Sequence, residues 1–157
     1  MAVGLNHYSE LLRYIKSLLE QDDLVNTITF GNPEEMDLNK MNIYPLANIE
    51  INDAIFTNGQ NVVFDVVIST MNQRDTTNEI NDSKIWYQNE VDNYNEMLAI
   101  LNRLWSKMLY GFNDNNITAS ENPQALKRKN VQDKNNLEGW QLSFQVTMPN
   151  TALNLCQ

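Results

Sequence analysis

The strongest constraint in this chain is a pair of alternating apolar and polar stretches on either side of Asn58-Gly59. Asn-Gly takes the positive φ values of a tight turn at little cost, so Thr57-Asn58-Gly59-Gln60 is predicted to reverse the chain. After the turn, Val62, Phe64, Val66 and Ile68 take one side of a strand over Asn61–Met71, and Val63, Asp65, Val67 and Ser69 take the other. Before it, Ile43, Ala47, Ile49 and Ile51 alternate with Tyr44, Leu46, Asn48 and Glu50 along Ile43–Ile55. Pro45 has no N–H to give a ladder, which makes the start of that strand an edge or a lead-in. Asp65 interrupts an apolar strand, and its alternation puts it on the wet face rather than in a catalytic role.

The remaining segments supply material to cover such a hairpin. Tyr8, Leu11, Leu12, Ile15, Leu18 and Leu19 recur at spacings of three and four, predicting an amphipathic helix over 5–21 that exits at Asp22-Asp23 and Asn26. Thr27–Phe30 is short and β-prone, and Gly31-Asn32-Pro33 stops it. Pro33-Glu34-Glu35 suits a brief helical turn capped by Asn32. A second helix is predicted from at most Lys84, and firmly over Val91–Tyr110, where Val91, Tyr94, Leu98, Leu101, Trp105 and Met108 form the stripe and Gly111 ends it. A short strand near Ile117–Ser120 follows. Pro123–Lys134 reads as a loop or as the far side of a hairpin. Trp140, Leu142, Phe144, Val146 and Met148 define a closing strand over Leu137–Met148, Pro149 stops it, and 149–157 is expected to be a flexible tail. The fold class that follows is α+β: one domain over 1–157, with a mainly antiparallel sheet of about four to five strands and two helices on one face.

Composition narrows the function classes. No apolar run approaches the roughly 18–20 residues that cross a bilayer, and the first residues do not form a signal peptide. Cys156 is the sole cysteine, so no disulfide framework is possible and a reducing compartment is expected. The net charge is −9, from 20 acidic and 11 basic residues, which argues against a broad basic nucleic-acid face but suits a wall past which DNA slides. Abundant asparagine fits an AT-rich genome better than a prion-like tract.

Catalytic constellations are hard to assemble. His7 is the one histidine and is expected at a frayed terminus, so Cys-His and Ser-His nucleophiles and nitrogen–sulfur zinc sites are disfavoured. The five glycines contain no phosphate loop. Two acidic groups stand out, the pair Asp22-Asp23 and the cluster Glu34, Glu35 and Asp37; either suits calcium, magnesium or acid–base work in principle. Their spacing matches no cation loop, and a solvated loop is the better reading. Lys127-Arg128-Lys129 is the one basic run, suited to phosphate or to an acidic neighbouring subunit, against the alternative of a solvated loop. Trp105 and Trp140 fall on apolar stripes and are expected in the core. Trp86, in Ile85-Trp86-Tyr87, is the tryptophan best placed to anchor an interface.

In the order of its elements the chain resembles the tail-terminator, or tail-completion, proteins of tailed bacteriophages. The likeness runs from Tyr8 to about Met148. It rests on the opening helix leading to Ile28-Thr29-Phe30-Gly31 and on Ile43-Tyr44-Pro45-Leu46-Ala47-Asn48-Ile49-Glu50-Ile51. The hairpin strand ending at Ser69, the polar loop, the helix 91–110 and Leu137-Glu138-Gly139-Trp140-Gln141-Leu142-Ser143-Phe144 complete it. The resemblance implies a virion protein, assembled in the bacterial cytoplasm, that is not an enzyme and has no cofactor or metal. It implies a ring, typically a hexamer, that caps the tail tube and meets head-completion and neck proteins while DNA passes through without specific binding. A neck or connector subunit of a short-tailed phage is the near alternative. A host binding module and a metal-dependent hydrolase using acidic residues are the distant ones. Contacts are expected in the polar loops 31–41, 72–84 and 121–136, with Glu34, Glu35, Asp37, Arg74, Trp86, Lys127, Arg128 and Lys129 as candidate interface residues.

Overall fold

A computed structural model describes residues 7–32, 44–57, 59–73, 90–110, 117–120, 122–130 and 137–150. In chain order these form α1 (His7–Glu20), β1 (Thr27–Phe30), β2 (Leu46–Thr57), β3 (Asn61–Gln73), α2 (Glu90–Tyr110), β4 (Thr118–Ala119), β5 (Gln124–Asn130) and β6 (Leu137–Pro149). The class is α+β, with a six-stranded sheet rather than four to five strands. The extra strand is β5, which fills the window left open between loop and hairpin arm.

The hairpin sits at the centre. Gly59 has φ of 67°, and the Gln60 N–H donates to the Thr57 carbonyl at 3.1 Å. β3 lies between β2 and β6, antiparallel to both, and pairs with β6 along its whole length from Asn61 opposite Pro149 to Gln73 opposite Leu137. The β2 strand begins at Leu46, directly after Pro45, as expected of a lead-in that gives no N–H to the ladder, and Ile43 lies outside the described residues. β1 pairs parallel with β2, from Thr27 opposite Leu46 to Phe30 opposite Ile49. β4 and β5 lie end to end along the other side of β6.

Register explains the core. Ile49, Ile68 and Leu142 stand side by side across three strands, as do Phe64 with Val146 and Val62 with Met148. These residues are buried, and Leu11, Ile15 and Leu19 of α1 and Met97, Ile100, Leu101, Leu104 and Met108 of α2 close over them. Burying such side chains is worth about 1.5–3 kcal/mol each relative to exposure, which dominates the weak intrinsic preferences of these segments. The opposite face is buried too at one end, through Leu46, Asn48, Ser69 and Met71. Gly139, opposite Met71, has no room for a side chain: a Cβ there would lie 1.7 Å from the Thr70 carbonyl oxygen.

His7 is not frayed. It opens α1, is 7% exposed, and its Nε2 lies 2.7 Å from the carbonyl oxygen of Pro149. A carbonyl can only accept, so Nε2 carries the proton, and the bond ties the first turn of α1 to β6. β6 runs through Pro149, one residue past the expected stop, and the Asn150 N–H donates to Gln60 O at 2.7 Å. The rest of the expected tail, 151–157, lies outside the described residues, as does the expected turn at Pro33-Glu34-Glu35. No described helix is long and apolar enough to cross a membrane.

Candidate contact surfaces

The candidate residues separate into two groups. Glu34, Glu35, Asp37, Arg74 and Trp86 lie outside the described residues. Lys127, Arg128 and Lys129 are described in backbone, and of the two readings left open for 123–134 they take the hairpin arm, not the solvated loop: all three are on β5, which pairs with β6 through Lys127 opposite Trp140, Arg128 opposite Gly139 and Lys129 opposite Glu138. Asp65 is on the solvent side of β3, where its Oδ1 accepts a hydrogen bond from Gln145 Nε2 at 2.9 Å, as the alternation predicts.

Lys127 is held rather than loose. Its Nζ stands 3.9 Å from the centroid of the Tyr94 ring on α2, a cation–π contact worth about 0.5–1 kcal/mol at an exposed site. It belongs to a polar seam that fastens the first half of α2 to the sheet. Trp140 Nε1–H donates to the Tyr94 carbonyl at 2.9 Å, and Thr70 Oγ1–H donates to the Met97 carbonyl at 2.9 Å. Asn72 Nδ2–H donates to Asn93 Oδ1 at 2.9 Å. The Tyr94 and Trp140 rings meet edge-on at 6.3 Å. Trp140 is therefore a half-buried seam residue, and Trp105 packs its edge on Phe144 at 5.7 Å.

A second polar site joins the end of α1 to α2. Asp22, expected in a solvated acidic pair, is buried, and its carboxylate is gripped by Arg103 from 81 residues away. Arg103 Nε–H and Nη2–H donate to Oδ2 and Oδ1 at 2.6 and 2.9 Å, and the Leu24 N–H donates to Oδ1 at 3.1 Å. Burial acts to raise the Asp22 carboxyl, but the Arg103 and Leu24 hydrogen bonds and the charges of Arg103 and Lys107 outweigh it, so the carboxyl titrates below its ordinary value. The same hydrogen bond raises Arg103. The arrangement is a structural clasp between helices. Nothing in the sequence signals it, because no local spacing connects the two residues.

Two surfaces remain unoccupied by described parts of the chain. The first is the outer half of β2. β1 accompanies β2 only as far as Ile49, and the register with β3 shifts between Ile51 and Ala54. Such a bulge bends a strand and re-aims its end. From Asn52 to Thr57 every residue is exposed, including Ile55 at 49% and Phe56 at 66%. The edge facing away from β3 has no partner strand among the described residues over this span. The second surface is a shallow apolar groove of about 350 Å³ beside β5, lined by Leu98, Leu101, Trp105, Pro123, Ala125 and Leu142. Leu98, expected on the apolar stripe of α2, is 38% exposed and lines this groove.

These surfaces were legible only in part. Nothing in the sequence assigns Ile55 and Phe56 to a surface, and only the structure shows both exposed. Among the described residues no three His, Cys, Asp or Glu side chains converge on a point that could hold a metal ion. No family model matches this chain, and no curated protein matches it.

Proposed function

We propose that the chain is a structural subunit of a phage particle, one that joins copies of itself into a ring capping the tail tube and meeting the head-completion proteins. The observation that carries this reading is a pair of non-equivalent sheet edges that have no partner strand among the described residues, the outer half of β2 and the far side of β5. Unpaired strand edges are ready templates for another chain, and a monomer ordinarily shields them. Two different edges favour a heterologous contact, which repeats from copy to copy and closes into a ring when its rotation permits. The resemblance of its element order to that of tail-terminator proteins is what favours the end of the tail as the place of that ring.

Cryo-electron microscopy of the intact particle tests the reading. Density for this chain as a closed ring between tail tube and head is expected. Density on a fibre tip or on the capsid surface would exclude it. Gene order is an independent check, with portal, tube or sheath genes expected alongside.

A further inference from the structure

We infer that the ring contact is strand addition between two diagonally opposed corners of the sheet, the outer half of β2 of one copy against β5 of the next. The inference rests on the ring reading for its biological setting and on the sheet itself for its chemistry.

The two segments match in length and differ in charge. The open part of β2 is Asn52-Asp53-Ala54-Ile55-Phe56-Thr57, preceded by Glu50; β5 is Gln124-Ala125-Leu126-Lys127-Arg128-Lys129-Asn130. Each spans about 20 Å of extended chain at roughly 3.3 Å per residue. Each has one side hydrogen-bonded within its own sheet and the other side without a strand among the described residues. On a chain of net charge −9, two copies repel at most orientations. β5 is the one segment with three consecutive cations, so bringing it to the acidic β2 corner is the approach that this charge distribution favours.

Apolar surface supplies what the strand pairing lacks. Ile55 and Phe56 stand exposed on the β2 corner, Phe56 on the helix-covered face opposite Val62 and Ile55 on the other face opposite Val63. On β5 the groove of Leu98, Trp105 and Ala125 lies on the helix-covered face, and Leu126, 43% exposed and opposite Gln141, lies on the other, so a continued sheet sets Phe56 toward the groove and Ile55 toward Leu126. A contact that joined them would cover the large exposed apolar residues at both corners at once, with the aromatic Phe56 as its anchor. The corners are diagonal: Leu46 lies in register with Met71, Gly139 and Arg128, whereas Thr57 lies at the far end with Asn61 and Pro149. Successive copies are therefore staggered, and stagger combined with strand twist is what lets a sheet curve into a closed wall.

The test uses the full-length chain and two exposed substitutions that oppose the contact, Phe56→Lys on the β2 corner and Leu126→Asp on β5. Each is expected to raise the concentration for half-assembly by about ten-fold or more, with circular dichroism and melting temperature close to the parent. Each variant blocks one corner and leaves the other. An equimolar mixture is therefore expected to give dimers that grow no further, seen by sedimentation velocity. Zero-length carboxylate–amine cross-linking of the parent chain is expected to join Asp53 or Glu50 of one copy to Lys127 or Lys129 of another. Parent-like assembly by both variants, failure of the mixture to form dimers, or absence of that cross-link would overturn the strand pairing. A ring in the particle without the cross-link overturns this contact and leaves the proposed function standing. The cross-link in a chain absent from the tail end overturns the function and leaves the contact.

Discussion

Two residues show how much a single position contributes here. In the folded chain the Asp22 carboxyl titrates below its ordinary value of 3.8, whereas the unfolded chain titrates near it. A depressed folded value means that the stabilisation is fully present above the ordinary carboxylate range and is lost as pH falls through the folded value. Asp22→Asn should therefore cost stability at neutral pH. Arg103 is 44% exposed, so solvent screening limits the loss to about 1 kcal/mol. In urea titrations of both proteins the gap should close once Asp22 takes up its proton below the ordinary range; a gap constant down to acid pH would refute the clasp. Gly139 is constrained by space instead of charge. Its missing Cβ would meet the backbone oxygen of Thr70 at 1.7 Å, and a backbone atom in a central strand has nowhere to go. Gly139→Ala is expected to cost at least about 3 kcal/mol, measured as a fall in melting temperature or a loss of soluble protein. A parent-like melt would show that β3 and β6 can separate locally.

At the scale of elements, the β2–β3 hairpin was readable because turn chemistry and alternation agree. Gly59 has the positive φ that the turn requires, so Gly59→Val should cost about 1 kcal/mol or more through strain, against an unchanged melting temperature if the turn can rearrange. β5 shows the opposite case. Gln124-Ala125-Leu126-Lys127-Arg128-Lys129-Asn130 has no alternation of its own, and its polar composition suits a loop. It becomes a strand because β6 offers a complete edge for it to pair with, and because Lys127 can lie over Tyr94. β-propensity is mostly a matter of such surroundings. Within the described residues both helices lie where their stripes put them, since three- and four-spaced apolar residues need nothing beyond the segment that carries them; residues 5–6 and the extension back to Lys84 lie outside the described residues.

For the whole molecule the prediction concerns charge. The net charge of −9 is spread over a fold in which the one basic run forms an edge strand with Lys127 already stacked on Tyr94. A dense basic face is what holds DNA through counterion release, and three cations are a small fraction of one. No binding of duplex DNA is expected at physiological salt, and an electrophoretic shift at micromolar protein would contradict that expectation. The placement also changes how the basic run should be probed. Reversing Lys127, Arg128 and Lys129 together would disturb the Tyr94 contact as well as any neighbour, so Arg128→Glu alone is the cleaner change. It should weaken assembly while moving the melting temperature little, and normal particle assembly by this variant would remove charge steering from the account.

By itself the sequence determined whatever depends on periodicity: two amphipathic helices, a central hairpin, a closing strand and therefore the α+β class. Those are local properties, and burial of a stripe or a face enforces them wherever the segment docks. Tertiary structure decided what depends on pairs distant along the chain. Arg103 reaches Asp22, His7 reaches Pro149, and Thr70 and Trp140 reach the carbonyls of α2. No segment contains both partners, so no local pattern announces them. The open corners of the sheet belong to the same category. β1 stops beside Ile49, and Ile55 and Phe56 further along β2 are exposed, an outcome of packing that the composition of the strand does not announce.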